Sequence, residues 1–165
     1  MRLGTDHVLL LRLHNMVMSR LEVVEGSVVR DVCSHPDIRD LYLAADLMVT
    51  DYSSTMFDFA VTGRPLVFFT YDLDRYRDEL RGFYFDLEDV APGPLVRTSQ
   101  ELVDAIADID RISEQYAAQY ARFQAMFSHL EDGAATRRVL DLILPDATAS
   151  GQTSKTEGDD ARAHR

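Results

Sequence analysis

The sequence is poor in cysteine: Cys33 stands alone among 165 residues, so no disulfide can form within the chain. A chain of this kind suits a reducing compartment. We expect Cys33 to be a small, buried, apolar side chain. Long apolar runs are also missing, and Val8–Leu11 is too short for the core of a signal peptide. The sequence therefore predicts a cytoplasmic protein, and attachment to a membrane surface stays open.

Basic residues are in the minority. The chain has 17 Lys and Arg against 28 Asp and Glu, which gives a formal net charge of −11. Non-specific nucleic-acid binding needs a basic face, so nucleic acid is not expected as a partner. An anionic ligand would have to be held by local groups against the overall field of the protein.

Several motifs that mark common enzyme classes are absent. The sequence has neither G-x-x-x-x-G-K-[ST] nor G-x-G-x-x-G, which leaves P-loop and dinucleotide sites without support. It has no G-x-S-x-G, so Ser53 and Ser54 are poor candidates for a hydrolase nucleophile. No His and Cys residues have zinc spacing. Asp72-Leu73-Asp74 has the form of a metal–nucleotide motif, but three residues recur by chance, and we expect neither a bound metal nor a cofactor.

What the sequence does contain is an alternation of short apolar runs and helical patterns. We expect buried strands at 8–13, 28–32, 47–50 and 66–69, with helices beginning near 34–37 and 51–55. This alternation is typical of an α/β protein with a Rossmann-like parallel sheet and flanking helices.

The second half of the chain is patterned differently. Residues 70–97 are rich in Tyr, Asp and Arg, and we expect an extended active-site loop with little regular structure. Helical stripes follow between 98 and 144, where Thr98 has the form of a capping residue. The Ser, Thr, Gly and charged residues of 146–165 predict a disordered tail. We therefore expect one domain over 1–145.

The strongest functional signal is the segment 49–55. A predicted strand ends at Thr50, a polar turn follows at Asp51, and a helix begins on Ser53-Ser54-Thr55. Unpaired N–H groups and hydroxyl donors at such a place bind phosphate, and ligands collect at the carboxyl ends of parallel strands. The alternative is that these hydroxyls only cap their own helix. The residues alone do not decide between the two.

Two further features are candidates for a site. His14 ends the first predicted strand, where a histidine could stabilise a transferring phosphate or move a proton. The alternative is a structural histidine, as we expect for His7 and His35. The run Arg81-Gly82-Phe83-Tyr84-Phe85-Asp86 suits a loop that closes over a polar ligand. Equally, this loop could simply be pinned by its aromatic side chains.

Together these motifs resemble the CDP-glycerol glycerophosphotransferases of teichoic acid synthesis. The resemblance spans roughly residues 8–144. The matching segments are 45–54, Phe57-Asp58-Phe59-Ala60, Arg64-Pro65, 68–72 with Tyr76, 81–86, Pro92-Gly93-Pro94 and Asp132-Gly133 with the helix over 139–143.

The resemblance implies a GT-B architecture, in which two Rossmann-like lobes flank the active site. This chain corresponds to the single C-terminal lobe, which holds most of the nucleotide contacts. The reaction implied is transfer of glycerol phosphate from CDP-glycerol to a hydroxyl of a polyol-phosphate or lipid-linked acceptor, with release of CMP. No metal is firmly implied.

Site residues follow from the matched positions. His14 resembles the catalytic or phosphate-contacting histidine of the lobe. Ser53 and Ser54 resemble pyrophosphate binders, assisted by Thr55, with Asp51 shaping the turn. Arg81 and Gly82 fall in the loop that faces the nucleotide.

The sequence departs from the family in two ways. Asn15 follows His14 where the family often has Pro. The N-terminal lobe has no counterpart here, so a second catalytic histidine and much of the acceptor site are expected to come from a partner lobe. Two alternatives stay open: a non-catalytic nucleotide-binding module, and a GT-B glycosyltransferase lobe that uses another nucleotide sugar.

Overall fold

The computed structural model describes residues 4, 6–14, 28–80, 82 and 84–144. The chain divides into two compact units, Met1–His129 and Leu130–Arg165. The strands are β1 (Leu9–Leu11), β2 (Val29–Asp31), β3 (Met48–Thr50), β4 (Leu66–Phe69) and β5 (Leu95–Val96). The helices are α1 (Ile38–Ala44), α2 (Thr55–Ala60), α3 (Leu73–Arg75) with a π-helical turn (Tyr76–Leu80), α4 (Leu87–Val90), α5 (Ser99–Ala107), α6 (Ile109–Phe127) and α7 (Ala135–Ile143).

All strand pairs in the described part of the chain are parallel. β1 pairs with β2 in the register Leu9 to Val29. β4 lies between β3 and β5, with Val49 opposite Val67 and Phe68 opposite Leu95. The predicted parallel α/β fold is thus confirmed. The strands nevertheless fall into two hydrogen-bonded groups, a division that the sequence pattern did not predict.

Strand β4 shows why the central strands read as unbroken apolar runs. Leu66 and Phe68 point to one face of the sheet, where they pack with Phe59 of α2 and Phe123 of α6. Val67 points to the other face, where its cluster contains Val96, Ala105 of α5 and Ile112 of α6. Because helices cover both faces, no position of the strand is left for a polar side chain.

The prediction of an extended loop over 70–97 is wrong. This segment contains α3, the π-helical turn, α4 and β5. Each of these elements has only two to five residues, too few for a hydrophobic period to show. Gly93 explains the Pro-Gly-Pro sequence before β5: a Cβ at this residue would lie 1.9 Å from the carbonyl oxygen of Leu66.

The prediction that Cys33 is buried is also wrong, since its side chain is exposed. It follows β2 at the end of the two-stranded ladder. Its sulfur accepts a hydrogen bond from the Leu13 N–H at 3.3 Å, and its own N–H donates to Asp31 Oδ1 at 2.9 Å. The Cys33 side chain therefore forms hydrogen bonds with backbone groups where the two strands end, and it does not pack in the core.

The later helices agree better with their sequence patterns. Thr98 and Glu101 form a capping box at the start of α5, as predicted. In the second unit, Arg138 pairs with Asp132 at 2.7 Å and also donates to the Leu130 carbonyl. The tail predicted over 146–165 lies outside the described residues, so the domain boundary stays a prediction. No helix in the described ranges is long and apolar enough to cross a membrane.

Candidate functional site

The segment from Asp51 to Thr55, here called the hydroxyl turn, joins the carboxyl end of β3 to α2. Asp51 Oδ1 accepts a hydrogen bond from the Ser53 N–H at 3.1 Å. Ser53 Oγ accepts from the Thr55 N–H at 3.4 Å, and the Thr55 hydroxyl lies 3.4 Å from that of Thr50. The carboxylate of Asp51 therefore folds the chain back at the strand end, as its short polar side chain predicts.

The two serines of the hydroxyl turn differ in what their side chains do. Ser54 is the residue that precedes α2, and its backbone is helical (φ −61°, ψ −11°). Its side chain is exposed and makes no capping hydrogen bond. The capping interpretation thus applies, weakly, to Ser53 and not to Ser54. The Ser54 hydroxyl is therefore exposed and is not used as a helix cap.

The far end of α2 is fastened by α6. The Tyr120 hydroxyl donates to the Arg64 carbonyl at 2.7 Å, and the Gln124 amide donates to the Ala60 carbonyl at 2.7 Å. Burial raises the pKa of Tyr120 to about 12, so this hydroxyl keeps its proton as a donor. A six-residue helix is marginal by itself, and the Gln124 contact satisfies the carbonyl of its last residue, Ala60.

Arg64 has a structural role that sequence analysis did not find. Its guanidinium donates to the carbonyls of Ala45 at 2.6 Å, Leu43 at 2.7 Å and Tyr42 at 3.3 Å. It thereby caps the carboxyl end of α1. The contact reaches across 19 to 22 residues, and local sequence carries no signal for it.

A second set of contacts holds the hydroxyl turn from the side. The Tyr52 hydroxyl donates to Asp72 Oδ1 at 2.7 Å, and the Tyr52 ring stacks on Tyr76 with centroids 4.1 Å apart. Burial, and then the hydrogen bond to Asp72, raise the pKa of Tyr52 well above its usual range. We call Tyr52, Asp72 and Tyr76 the tyrosine bracket.

The bracket also accounts for part of the Asp72-Leu73-Asp74 motif. Asp72 accepts from Tyr52, and Asp74 pairs with Arg77 at 3.1 Å and with Arg97 at 3.4 Å. Both carboxylates are thus bound to protein groups. Over the described ranges, no three His, Cys, Asp or Glu side chains are grouped so as to hold a metal ion.

His14 lies elsewhere in the strand arrangement. It is exposed and follows β1, which pairs with β2 and not with the strands around the hydroxyl turn. Nearby, Arg12 donates to the His35 carbonyl at 2.7 Å, and the His35 ring bonds to Asp40 at 3.1 Å, in line with a structural His35. The structure therefore places His14 and the hydroxyl turn each at the carboxyl end of a parallel strand, in different strand groups.

The loop predicted to face the nucleotide is described in part, and Arg81 lies outside the described residues. Gly82 has φ +68°, and its N–H donates to the Tyr76 carbonyl at 3.1 Å, which ends the π-helical turn. This backbone conformation explains the glycine. Phe85 packs against Phe57 and Phe127, whereas the Tyr84 side chain is fully exposed. A nucleotide contact at Arg81 or Gly82 stays a prediction.

Parallel strands covered by helices on both faces, with a hydroxyl-rich turn at a strand end, define a Rossmann-like α/β lobe. Residues 1–145 match the family described as CDP-Glycerol:Poly(glycerophosphate) glycerophosphotransferase. The chain belongs to this family, and the resemblance drawn from its motifs is confirmed.

Named relatives agree with this assignment. The chain is 46% identical over 142 residues to a teichoic acid glycerol-phosphate transferase of Staphylococcus aureus. This alignment covers 86% of this chain and 36% of that protein. It is 41% identical over 144 residues to a teichoic acid poly(glycerol phosphate) polymerase of Bacillus subtilis, covering 86% of this chain and 19% of the relative.

Solved structures show the same fold. The wall teichoic acid polymerase TagF superposes with a TM-score of 0.77 at 34% identity, covering 92% of this chain and 38% of that chain. This TagF structure is a histidine-to-asparagine variant soaked with CDPG. The expected GT-B type of lobe is thereby confirmed. The chain spans well under half the length of each of these relatives.

Proposed function

We propose that this chain is the nucleotide-binding lobe of a glycerophosphotransferase. In the reaction, a hydroxyl of a teichoic-acid-type acceptor attacks the glycerol-bearing phosphorus of CDP-glycerol. A new P–O bond forms to the acceptor, the P–O bond to CMP breaks, and CMP leaves with the electron pair. The acceptor hydroxyl loses its proton to a base, which we assign to the N-terminal lobe.

The hydroxyl turn carries the proposal. Ser54 offers a hydroxyl that its own helix does not use, at the carboxyl end of the parallel strand β3. Ser53 and Thr55 add hydroxyls beside it, and Asp51 fixes the fold of the turn. Phosphoryl transfer depends mainly on positioning and on neutralising charge, which N–H and hydroxyl donors can provide around a diphosphate. Motifs of the family cover this turn, and the family match spans it.

His14 is proposed to act on the leaving group. As an imidazolium it would stabilise the charge that develops on CMP as the P–O bond breaks. Its place at the carboxyl end of β1 supports this role, since ligands of open parallel sheets gather at such ends. Arg81 and Gly82 are proposed to face the nucleotide from the loop after the π-helical turn.

The acceptor and its location belong to the same proposal. A polyol-phosphate or lipid-linked acceptor would be bound mainly by an N-terminal lobe, supplied as a partner or as another part of a longer protein. We place the assembled enzyme peripherally at the inner face of the membrane, where a lipid-linked acceptor would be presented. The teichoic acid transferase and polymerases among the relatives support this acceptor class.

Calorimetric titration with CDP-glycerol, CDP and a UDP-sugar tests the binding function. We expect saturable binding that prefers the cytidine ligands. Ser54→Ala should weaken CDP binding by about 1–3 kcal/mol, the usual cost of a lost hydrogen bond to a charged group. Ser99→Ala is the matched control, because Ser99 is an exposed serine at the start of another helix. Equal CDP affinity in both variants would show that Ser54 is no phosphate ligand.

One second candidate function is a non-catalytic nucleotide-binding module. The chain covers 36% of the Staphylococcus aureus transferase, so the test includes an N-terminal lobe. Release of CMP from CDP-glycerol, measured with and without an N-terminal lobe in trans, separates the two functions. Binding without CMP release under both conditions would favour the module, and preference for the UDP-sugar would indicate a glycosyltransferase lobe.

A further inference from the structure

The tyrosine bracket links two turns that lie at the same edge of the sheet. Tyr52 belongs to the hydroxyl turn after β3, and Asp72 and Tyr76 follow β4. β3 and β4 are neighbours, with Thr50 opposite Phe68. Contact between the two turns therefore fixes the carboxyl ends of both strands relative to each other.

Asp72 is placed for this contact and not for its own helix. It precedes α3 in the position where an aspartate usually accepts from the first helical N–H groups. Its side chain makes no such cap and instead accepts the Tyr52 hydroxyl at 2.7 Å. A cap of α3 is thus given up in favour of a charge-assisted hydrogen bond to the hydroxyl turn.

The Tyr52 ring adds a second, apolar restraint. It stacks on Tyr76 with an angle of 24° between the ring planes, and it packs against the core cluster that contains Met56 and Phe59 of α2. A residue fixed at its ring and at its hydroxyl cannot turn freely. Ser53 and Ser54 are the next residues along the chain, so a fixed Tyr52 restrains their backbone as well.

We propose that Tyr52, Asp72 and Tyr76 form a positioning device that orients Ser53 and Ser54 toward the diphosphate group of a nucleotide ligand. This inference rests on the proposed function. It assigns Tyr52 and Asp72 a role through the serines and not through contact with the reacting atoms, because the Tyr52 hydroxyl is already bound to Asp72. The device acts on the phosphates, so its loss should spare contacts to the nucleoside.

The test compares ligands with and without phosphate on the full chain. Tyr52→Phe should weaken CDP binding roughly tenfold while cytidine binding stays within about twofold, since small misplacement of positioning groups has effects of this order or larger. Asp72→Asn keeps an oxygen that accepts the tyrosine O–H and should bind CDP within about threefold of the unchanged chain, whereas Asp72→Leu should behave like Tyr52→Phe.

The control for general destabilisation is Thr98→Ala, which removes the cap of α5 away from the hydroxyl turn. A merely structural role for the bracket would make Tyr52→Phe resemble Thr98→Ala, with CDP and cytidine affected alike. That outcome overturns the inference. If Asp72→Asn binds CDP no more tightly than Asp72→Leu does, the inference is contradicted as well.

Amide hydrogen exchange, followed by NMR without ligand, separates this inference from the proposed function. The Ser53 and Thr55 N–H groups should exchange at least about fivefold faster in Tyr52→Phe, while those of α5 stay unchanged, because loss of the bracket opens the turn locally. If the unchanged chain binds no CDP, the proposed function fails. The exchange experiment still tests whether the tyrosine bracket restrains the hydroxyl turn. Unchanged exchange of the Ser53 and Thr55 N–H groups in Tyr52→Phe would refute that restraint.

Discussion

Gly93→Ala should be among the most destabilising single-methyl additions to this protein. A Cβ at residue 93 would lie 1.9 Å from the Leu66 carbonyl oxygen and 2.9 Å from its carbonyl carbon. Both atoms belong to the backbone of a buried strand, so no side-chain rotation relieves the overlap. The segment that leads into β5 has to move away from β4 by roughly 1 Å or more to restore van der Waals distance.

The magnitude follows from what that movement disrupts. Overpacking of a buried site costs about 1–3 kcal/mol. Displacement of the segment also strains the hydrogen bonds from Phe68 to Pro94 at 2.9 Å and from Thr70 to Val96 at 2.8 Å. At about 1 kcal/mol each, these bring the expected loss to about 3–5 kcal/mol. Domains of this size have about 5–15 kcal/mol of stability in all.

Urea unfolding followed by circular dichroism measures the effect, with Gly63→Ala as the matched control. Gly63 has φ +73°, but a Cβ there would meet no atom within 4 Å. This control should therefore lose about 1–2 kcal/mol from left-handed backbone strain alone. A Gly93→Ala variant that is no less stable than Gly63→Ala would refute the packing argument. If Gly93→Ala yields no folded protein while Gly63→Ala still folds, the loss of stability lies at the upper end of the expected range.

Three further predictions concern other residues. Arg64→Ala should cost about 1–3 kcal/mol of unfolding free energy, because it leaves carbonyls at the end of α1 without their donor; an unchanged urea midpoint would contradict this. The Arg39 guanidinium lowers the pKa of Asp37 from 3.8 to about 2, so stability from this carboxylate is present above pH 4 and lost as the pH falls towards 2. The difference in thermal midpoint between the unchanged chain and Asp37→Asn should shrink over that range, and a constant difference would exclude this linkage. His14→Ala should unfold at the same temperature as His129→Ala while lowering CMP release in the assembled enzyme; a large loss of thermal stability would show that His14 has a structural role.

Long or strongly signalled elements were predictable from the sequence. The capping box of Thr98 and Glu101 uses neighbouring residues, and α6 repeats its apolar positions over 19 residues. β4 is four apolar residues directly after Pro65. In each case the determining interaction is local, or the period is long enough to rise above chance.

The errors have a common physical origin in contacts between distant residues. Between 70 and 97 the elements are short and are fixed by tertiary contacts, such as that of Gly93 with Leu66. Cys33 is exposed because it ends a strand ladder whose partner lies about 20 residues earlier. The turn of Ser53 and Ser54 was predicted at its place, but which of the two hydroxyls caps the helix depends on the backbone conformation of the turn, which the sequence pattern does not show.

The attachment of α2 to α6 has a consequence for the order of folding. Gln124 contacts Ala60 across 64 residues, and Tyr120 contacts Arg64 across 56. Closing loops of that length is slow relative to forming a local turn, and a six-residue helix gains little stability before α6 docks. The hydroxyl turn at the other end of α2 therefore acquires its final geometry late, and the proposed nucleotide binding should emerge only after α6 has packed. A nascent chain that stops short of α6 would carry every proposed phosphate ligand in its sequence and still present no formed site.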